Sequence, residues 1–156
     1  MLESVALIYK LNNGLVASSL DGLSDDEVWG QPAGSGNPIA WLVGHLTETR
    51  GKLLTSLGTA FDPGWPSAFS RGSMMQGREA YPARTAIETA WQATHHPMRD
   101  VFAALSAEQL AAPARSPFPG VKSLADHLAA LAFHEAYHVG QMGYVRKLLG
   151  RSALAG

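Results

Sequence analysis

The chain has 156 residues, 46% of them hydrophobic, which suits a single domain spanning 1–156 with a sizeable core. A formal net charge of −1, without a Lys/Arg run or a basic stripe, argues against nucleic acid as a partner, and no apolar run reaches the roughly 18 residues a membrane span needs. Cysteine is absent, so the protein has no disulfide, no thiol nucleophile and no thiolate ligand of its own, and any metal must sit on His, carboxylate, amide or water.

The opening Met1-Leu-Glu-Ser lacks the basic flank and long apolar stretch of a signal peptide, so a cytoplasmic location is the expectation. The first predicted helix runs from about Leu2 to Leu20. Its apolar residues Val5, Leu7, Ile8, Leu11, Leu15 and Val16 recur at helical spacing, and it ends near Asp21-Gly22. Ser24 is placed to cap a short turn through Asp25, Asp26 and Glu27, whose charges suit a positive helix N-terminus. Gln31 to Gly36 reads as a loop. Asn37 then caps a second long helix with Pro38 at its first position; it continues through Trp41, Leu42, His45 and Leu46 to about Leu57, where Gly58 stops it.

The stretch from Gly58 to Pro82 is rich in Gly, Pro and Ser and holds Phe61, Trp65 and Phe69. Connections of this length in a small domain tend to be functional. A third helix spans Ala83 to Leu105, with a kink or a break and restart expected at Pro97. Ser106 and Gln109 form a capping-box pattern for another short turn, and Pro113 to Gly120 is a loop. Ser123 caps the last helix, which runs to Leu149; Lys147 lies in its final turn and Gly150 closes it. Leu23-Ser24 and Leu105-Ser106 are each followed by a turn, a Pro-containing loop and a long helix. That order suggests two similar halves about a pseudo-two-fold axis. The expected architecture is all-α, a four-helix bundle with a long crossover between helices two and three.

His134 and His138 are four residues apart on the last helix, so their imidazoles share one face about one turn apart and can share one metal ion. Gln141 lies on the same stripe, and Leu124, Leu128 and Leu131 turn that stripe towards the core. Imidazole is costly to bury without partners. His45, between Leu42 and Leu46 on the apolar face of helix two, is the natural third ligand, with Gly44 and Gly140 available for close backbone approach. Three neutral imidazoles leave a coordination position open, as catalytic sites do. The competing reading is a set of core histidines hydrogen-bonded to neighbours. His127 is two turns away and suits a pocket-lining or structural role. His95 and His96 are adjacent, so at least one faces solvent, and either can supply an outer contact.

His134-Glu-Ala-Tyr-His138 is a literal H-E-x-x-H match, the motif in which a Glu activates metal-bound water in zinc proteases. No Glu, Asp or His follows His138, so the usual downstream ligand is missing. The longer form of the motif fails at Gln141 and Tyr144. Glu135 is expected to point off the ligand stripe, towards solvent or a neighbouring Arg.

Asn37-Pro-Ile-Ala-Trp-Leu-Val-Gly-His45-Leu resembles the second-helix signature of the DinB/YfiT-like proteins, and His134-Glu-Ala-Tyr-His138-Val-Gly-Gln141 resembles their last-helix signature. The turns Leu23-Ser-Asp-Asp-Glu27 and Leu105-Ser-Ala-Glu-Gln109 are similar too. The resemblance implies a four-helix bundle, ligation of nickel or zinc by His45, His134 and His138, and a homodimer. It also implies kinship with enzymes that use a low-molecular-weight thiol, such as bacillithiol transferases and mycothiol-dependent isomerases. A metal-dependent transferase acting on a small molecule with an external thiol is the leading expectation. A metal-dependent hydrolase and a non-catalytic metal- or ligand-binding stress protein are the rivals. Trp41, Trp65 and Phe69 can wall the pocket, Arg71 and Arg78 can meet carboxylates of the thiol, and Met74-Met75 can serve partner contact.

Overall fold

Serines three residues ahead of an acid or amide set the start of several helices in this computed structural model, which describes residues 2–70, 72 and 75–154. In chain order its helices are α1 (Leu2–Leu20), α2 (Asp25–Trp29), α3 (Ile39–Ser56), α4 (Arg84–Ala93), α5 (His95–Ala104), α6 (Ala107–Ala111) and α7 (Leu124–Leu148). Ser24, Ser106 and Ser123 each accept the backbone N–H three residues on, while Glu27, Gln109 and Asp126 reach back to the serine N–H, starting α2, α6 and α7. Among the described residues, β structure is confined to one isolated bridge, Pro113 with Ser123. No helix there is long and apolar enough to cross a membrane.

The bundle consists of α1, α3, the α4–α5 pair and α7. Helix α1 packs along α7, and α3 packs along α4. Short capped turns link α1 to α3 and α5 to α7, and the long stretch from 58 to 83 crosses over between α3 and α4. The expected four-helix architecture and its crossover are therefore present. Gly58, at φ +86°, ends α3 in a left-handed conformation that suits glycine.

Three local expectations need correction. Asn37 does not cap α3. The residue before a proline is pushed to extended backbone, and Pro38 itself takes the cap position, its carbonyl accepting the Leu42 N–H at 3.0 Å. The loop at 31–36 contains one 3₁₀ turn, Pro32–Gly34. The third helix breaks at Thr94 rather than at Pro97. A proline ring collides with the carbonyl four residues earlier, here Ala93, so the discontinuity falls a turn upstream and Pro97 sits in the first turn of α5.

The core divides into two apolar clusters. One contains Val16, Leu20, Leu42, Leu46, Phe69, Trp91, Val139 and Met142. The other contains Val5, Tyr9, Leu54, Met98, Phe102, Leu128 and Ala132. Along every long helix a polar residue lies between the two: Asn12 and Asn13 on α1, Arg50 on α3, Thr94 at the α4–α5 break and Glu135 on α7. Arg50 and Glu135 are each 1% exposed. Arg50 donates from Nε to Glu135 Oε1 at 2.7 Å and from Nη2 to Oε2 at 2.8 Å, while Nη1 reaches Asn13 Oδ1 at 2.7 Å and Thr94 Oγ1 at 3.2 Å. Its guanidinium lies 3.9 Å from the centre of the Trp91 ring. One buried cation thus touches all four parts of the bundle.

Candidate metal centre

Glu48, one turn beyond His45 on α3, is buried and gathers the crossover. Its Oε1 accepts the Ala68 N–H at 2.8 Å and the Phe69 N–H at 3.2 Å, and its Oε2 accepts the Ser67 hydroxyl at 2.9 Å. Trp65 Nε1 donates to Oε1 as well, at 3.3 Å. Held in this way, Phe69 packs its ring over Gly44, where a Cβ would come within 2.6 Å of it. The Phe69 carbonyl then accepts from His45 Nδ1 at 2.7 Å. A carbonyl can only accept, so the His45 proton is on Nδ1 and the lone pair is on Nε2.

The same logic operates on α7. His138 Nδ1 donates to Gln141 Oε1 at 2.6 Å, leaving Nε2 as the acceptor. Burial, the largest influence, holds the His138 pKa below the ordinary imidazole range; nearby His45 acts in the same direction and the Gln141 bond opposes it. Trp41 stacks flat on His45, with ring centres 5.2 Å apart and planes 8° from parallel. Phe118 meets His134 edge-on at 5.9 Å.

These supports bring three nitrogens together. His134 Nε2 lies 3.2 Å from His45 Nε2 and 3.0 Å from His138 Nε2. The ligand atoms of all three residues lie within 4.8 Å of one another. Nitrogens on a tetrahedral ion with bonds of about 2.0–2.1 Å stand about 3.3 Å apart, so the arrangement fits a transition-metal ion. It fits a metal-free hydrogen-bond cluster poorly. With the protons of His45 and His138 on Nδ1, the His134 Nε2 can donate to only one of two facing lone pairs. Among the described residues, the His, Cys, Asp and Glu side chains grouped closely enough to hold an ion are these three.

Glu135, between two of these histidines in sequence, is not in the site. It is buried against Arg50 and also accepts from Asn12 Nδ2 at 3.3 Å. The expected turn towards an arginine is present; the alternative turn towards solvent is not. Gly140 also departs from expectation: a Cβ there would meet nothing within 4 Å, so of these two glycines Gly44 alone serves a close approach.

A cavity of about 530 Å³ lies between α3, α6 and the start of α7, and none of the three histidines lines it. Thr49 in its wall is one turn beyond His45, and Leu131 and His127 are one and two turns before His134. Lys52 and Arg115 line it, and no carboxylate does. His127 Nδ1 is 3.0 Å from Ser116 Oγ, so its pocket-lining role is present. His95 and His96 supply no outer contact. They line a different cavity, between α1 and α5; His96 is exposed and His95 meets Trp91 edge-on. Arg78 is exposed, lies 4.1 Å from the Trp29 ring centre and donates to the Tyr81 and Pro82 carbonyls. Arg71 and Met74 lie outside the described residues, while Met75 packs against the first apolar cluster.

Sequence reasoning missed Glu48 and Arg50. The available signal was a charge on the buried face of α3, one turn and just over one turn from His45. The Phe69 carbonyl had no signal, because any residue carries one.

The sequence profile of the DinB superfamily matches residues 11–142. Among solved structures the chain is similar to YfiT from Bacillus subtilis, described as a probable metal-dependent hydrolase with an unusual four-helix bundle topology. The TM-score is 0.74 at 12% identity, covering 97% of this chain and 89% of that one. The search of curated proteins gives no significant match.

Proposed function

The chain belongs to the DinB superfamily, and we propose that it is a metal-dependent transferase that uses an external low-molecular-weight thiol, with His45, His134 and His138 holding one divalent ion, nickel or zinc. The observation that carries the reading is the convergence of three Nε2 atoms, two of them stripped of their protons by Phe69 and Gln141. A divalent ion on such a triad supplies Lewis acidity and lowers the pKa of a thiol that joins it. The chain's own residues do the rest. Trp41 and Phe118 flank the imidazoles, and the cavity that shares Thr49, His127 and Leu131 with the histidine-bearing helices carries Lys52 and Arg115 and no carboxylate, a positive character suited to carboxylates of the thiol or its partner. A cytoplasmic location would provide that thiol in reduced form.

The fate of the nearby carboxylates favours thiol transfer over hydrolysis. Glu135 is locked on Arg50, and Glu48 is engaged by the crossover. Neither is free to take a proton from water. The hydrolase reading draws on the description of YfiT, a likeness of fold. Two measurements test the proposal. Elemental analysis is expected to find one equivalent of metal per chain, largely lost in His138→Ala; equal metal in both rejects His138 as a ligand. Turnover of an electrophile should require added thiol. Hydrolysis of esters or amides without any thiol would instead establish the hydrolase.

A further inference from the structure

The cavity between α1 and α5 holds about 560 Å³, a size that takes small molecules, and no histidine of the metal centre lines it. The two helices run antiparallel along it. Tyr9 meets Phe102 edge-on with ring centres 5.0 Å apart, and further along Arg50 Nη1 joins Asn13 to Thr94, just ahead of α5. Tyr9, Met98 and Phe102 are buried and give the groove an apolar floor.

The two ends of the groove differ. At one end stand Leu2, Ala6, Phe102 and Ala103, where the alanines bring little side chain into the gap. At the other end stand Lys10, Asn13, His95 and His96. Lys10 is exposed and has no ion-pair partner among the described residues. His95 Nε2 is a buried polar atom without a hydrogen-bond partner there, a state that native proteins seldom leave unexplained. Two other cations are already spent. The N–H groups of Arg50 go to Glu135, Asn13, Thr94 and the Tyr9 carbonyl. Arg99 pairs with Asp100. Glu3, the carboxylate among the lining residues, lies about 10 Å from Lys10 along α1, towards the apolar end.

An occupant that matches both ends has an anionic head and an apolar body. Length selects the body. From Leu2 to Asn13 the helix advances about 16 Å, which suits an extended chain and exceeds a single aromatic ring with its carboxylate. We propose that this groove binds a medium-chain fatty acid, with its carboxylate at Lys10, His95 and His96 and its chain running over Met98 and Phe102 to Ala6 and Ala103. Burial of the chain supplies the affinity, and the charge at Lys10 sets the direction. The site is separate from the triad and does not rest on the metal reading.

Calorimetric titration of the full chain with sodium decanoate near neutral pH should show one site per chain. Decanol should bind about tenfold more weakly, because it brings no charge to Lys10. Butyrate should not bind, because it lacks the chain. Lys10→Glu should weaken decanoate about tenfold and leave decanol unchanged. Ala6→Trp should block the apolar end and abolish binding of both. Ala103→Trp, at an exposed position, should do the same with helical circular dichroism unchanged. Neither tryptophan variant should alter metal content, and decanoate should still bind to His138→Ala, which separates the groove from the triad. No decanoate binding, decanol as tight as decanoate, undiminished binding to Ala103→Trp, or binding lost in His138→Ala would each overturn the proposal.

Discussion

Two acceptors, the Phe69 carbonyl and the Gln141 side chain, decide which nitrogen of His45 and His138 is available. Replacing Gln141 with leucine keeps the volume and removes the acceptor. Metal affinity should fall about 10–100-fold, read by competition with a chromophoric chelator, while helix content stays the same. Glu135 gives a contrasting expectation. Glu135→Gln should retain one equivalent of metal, since the residue faces Arg50 and not the triad. Breaking that pair from the other side, with Arg50→Met, should destabilise the fold by about 3–5 kcal/mol in urea titration, because a lone carboxylate is left buried. Arg50→Met with Glu135→Leu should recover most of the loss; a double variant as unstable as the single one would refute the coupling. The triad was legible because its spacing and apolar setting are local and periodic. The destiny of Glu135 was not, because its partner lies 85 positions away and pairing across a bundle leaves no periodic trace.

At the scale of elements, the caps of α2, α6 and α7 were readable because each is decided within four residues. The start of α3 was misread by one position, since Pro38 usurps the cap that Asn37 suits by type. The third helix was misplaced in its break because proline acts on the carbonyl of the preceding turn. Packing between α3 and the crossover makes its own prediction. Gly44→Ala would drive a methyl into the buried Phe69 ring. The variant should lose about 1–3 kcal/mol in thermal or urea unfolding. It should also bind metal more weakly, because the displaced Phe69 carries the carbonyl that orients His45.

Across the whole molecule, stability should respond to pH through His95. Burial, then the Arg50 charge and His96, lower its pKa from 6.5 to about 4. Between pH 6.5 and 4 the unfolded chain therefore binds more protons at this site than the folded one, and stability declines as pH falls through that window, levelling below it. His95→Gln should flatten that part of the profile, measured as urea midpoint against pH in metal-free protein; an unchanged slope would show that His95 does not contribute. The pair Arg50–Glu135 lies between two apolar clusters where α1, α3, α4–α5 and α7 all meet, so the molecule should unfold in a single cooperative transition in these experiments.

The clasp that Glu48 places on Ser67, Ala68 and Phe69 divides the crossover into parts with different tolerance for engineering. Cutting and reconnecting the chain near Gly72, beyond the clasp, should leave the imidazole tether intact, so permuted or domain-inserted versions opened there should match the intact chain in metal content by elemental analysis. Grafts spliced between Trp65 and Phe69 are expected to disturb it, because that stretch carries the carbonyl that orients His45.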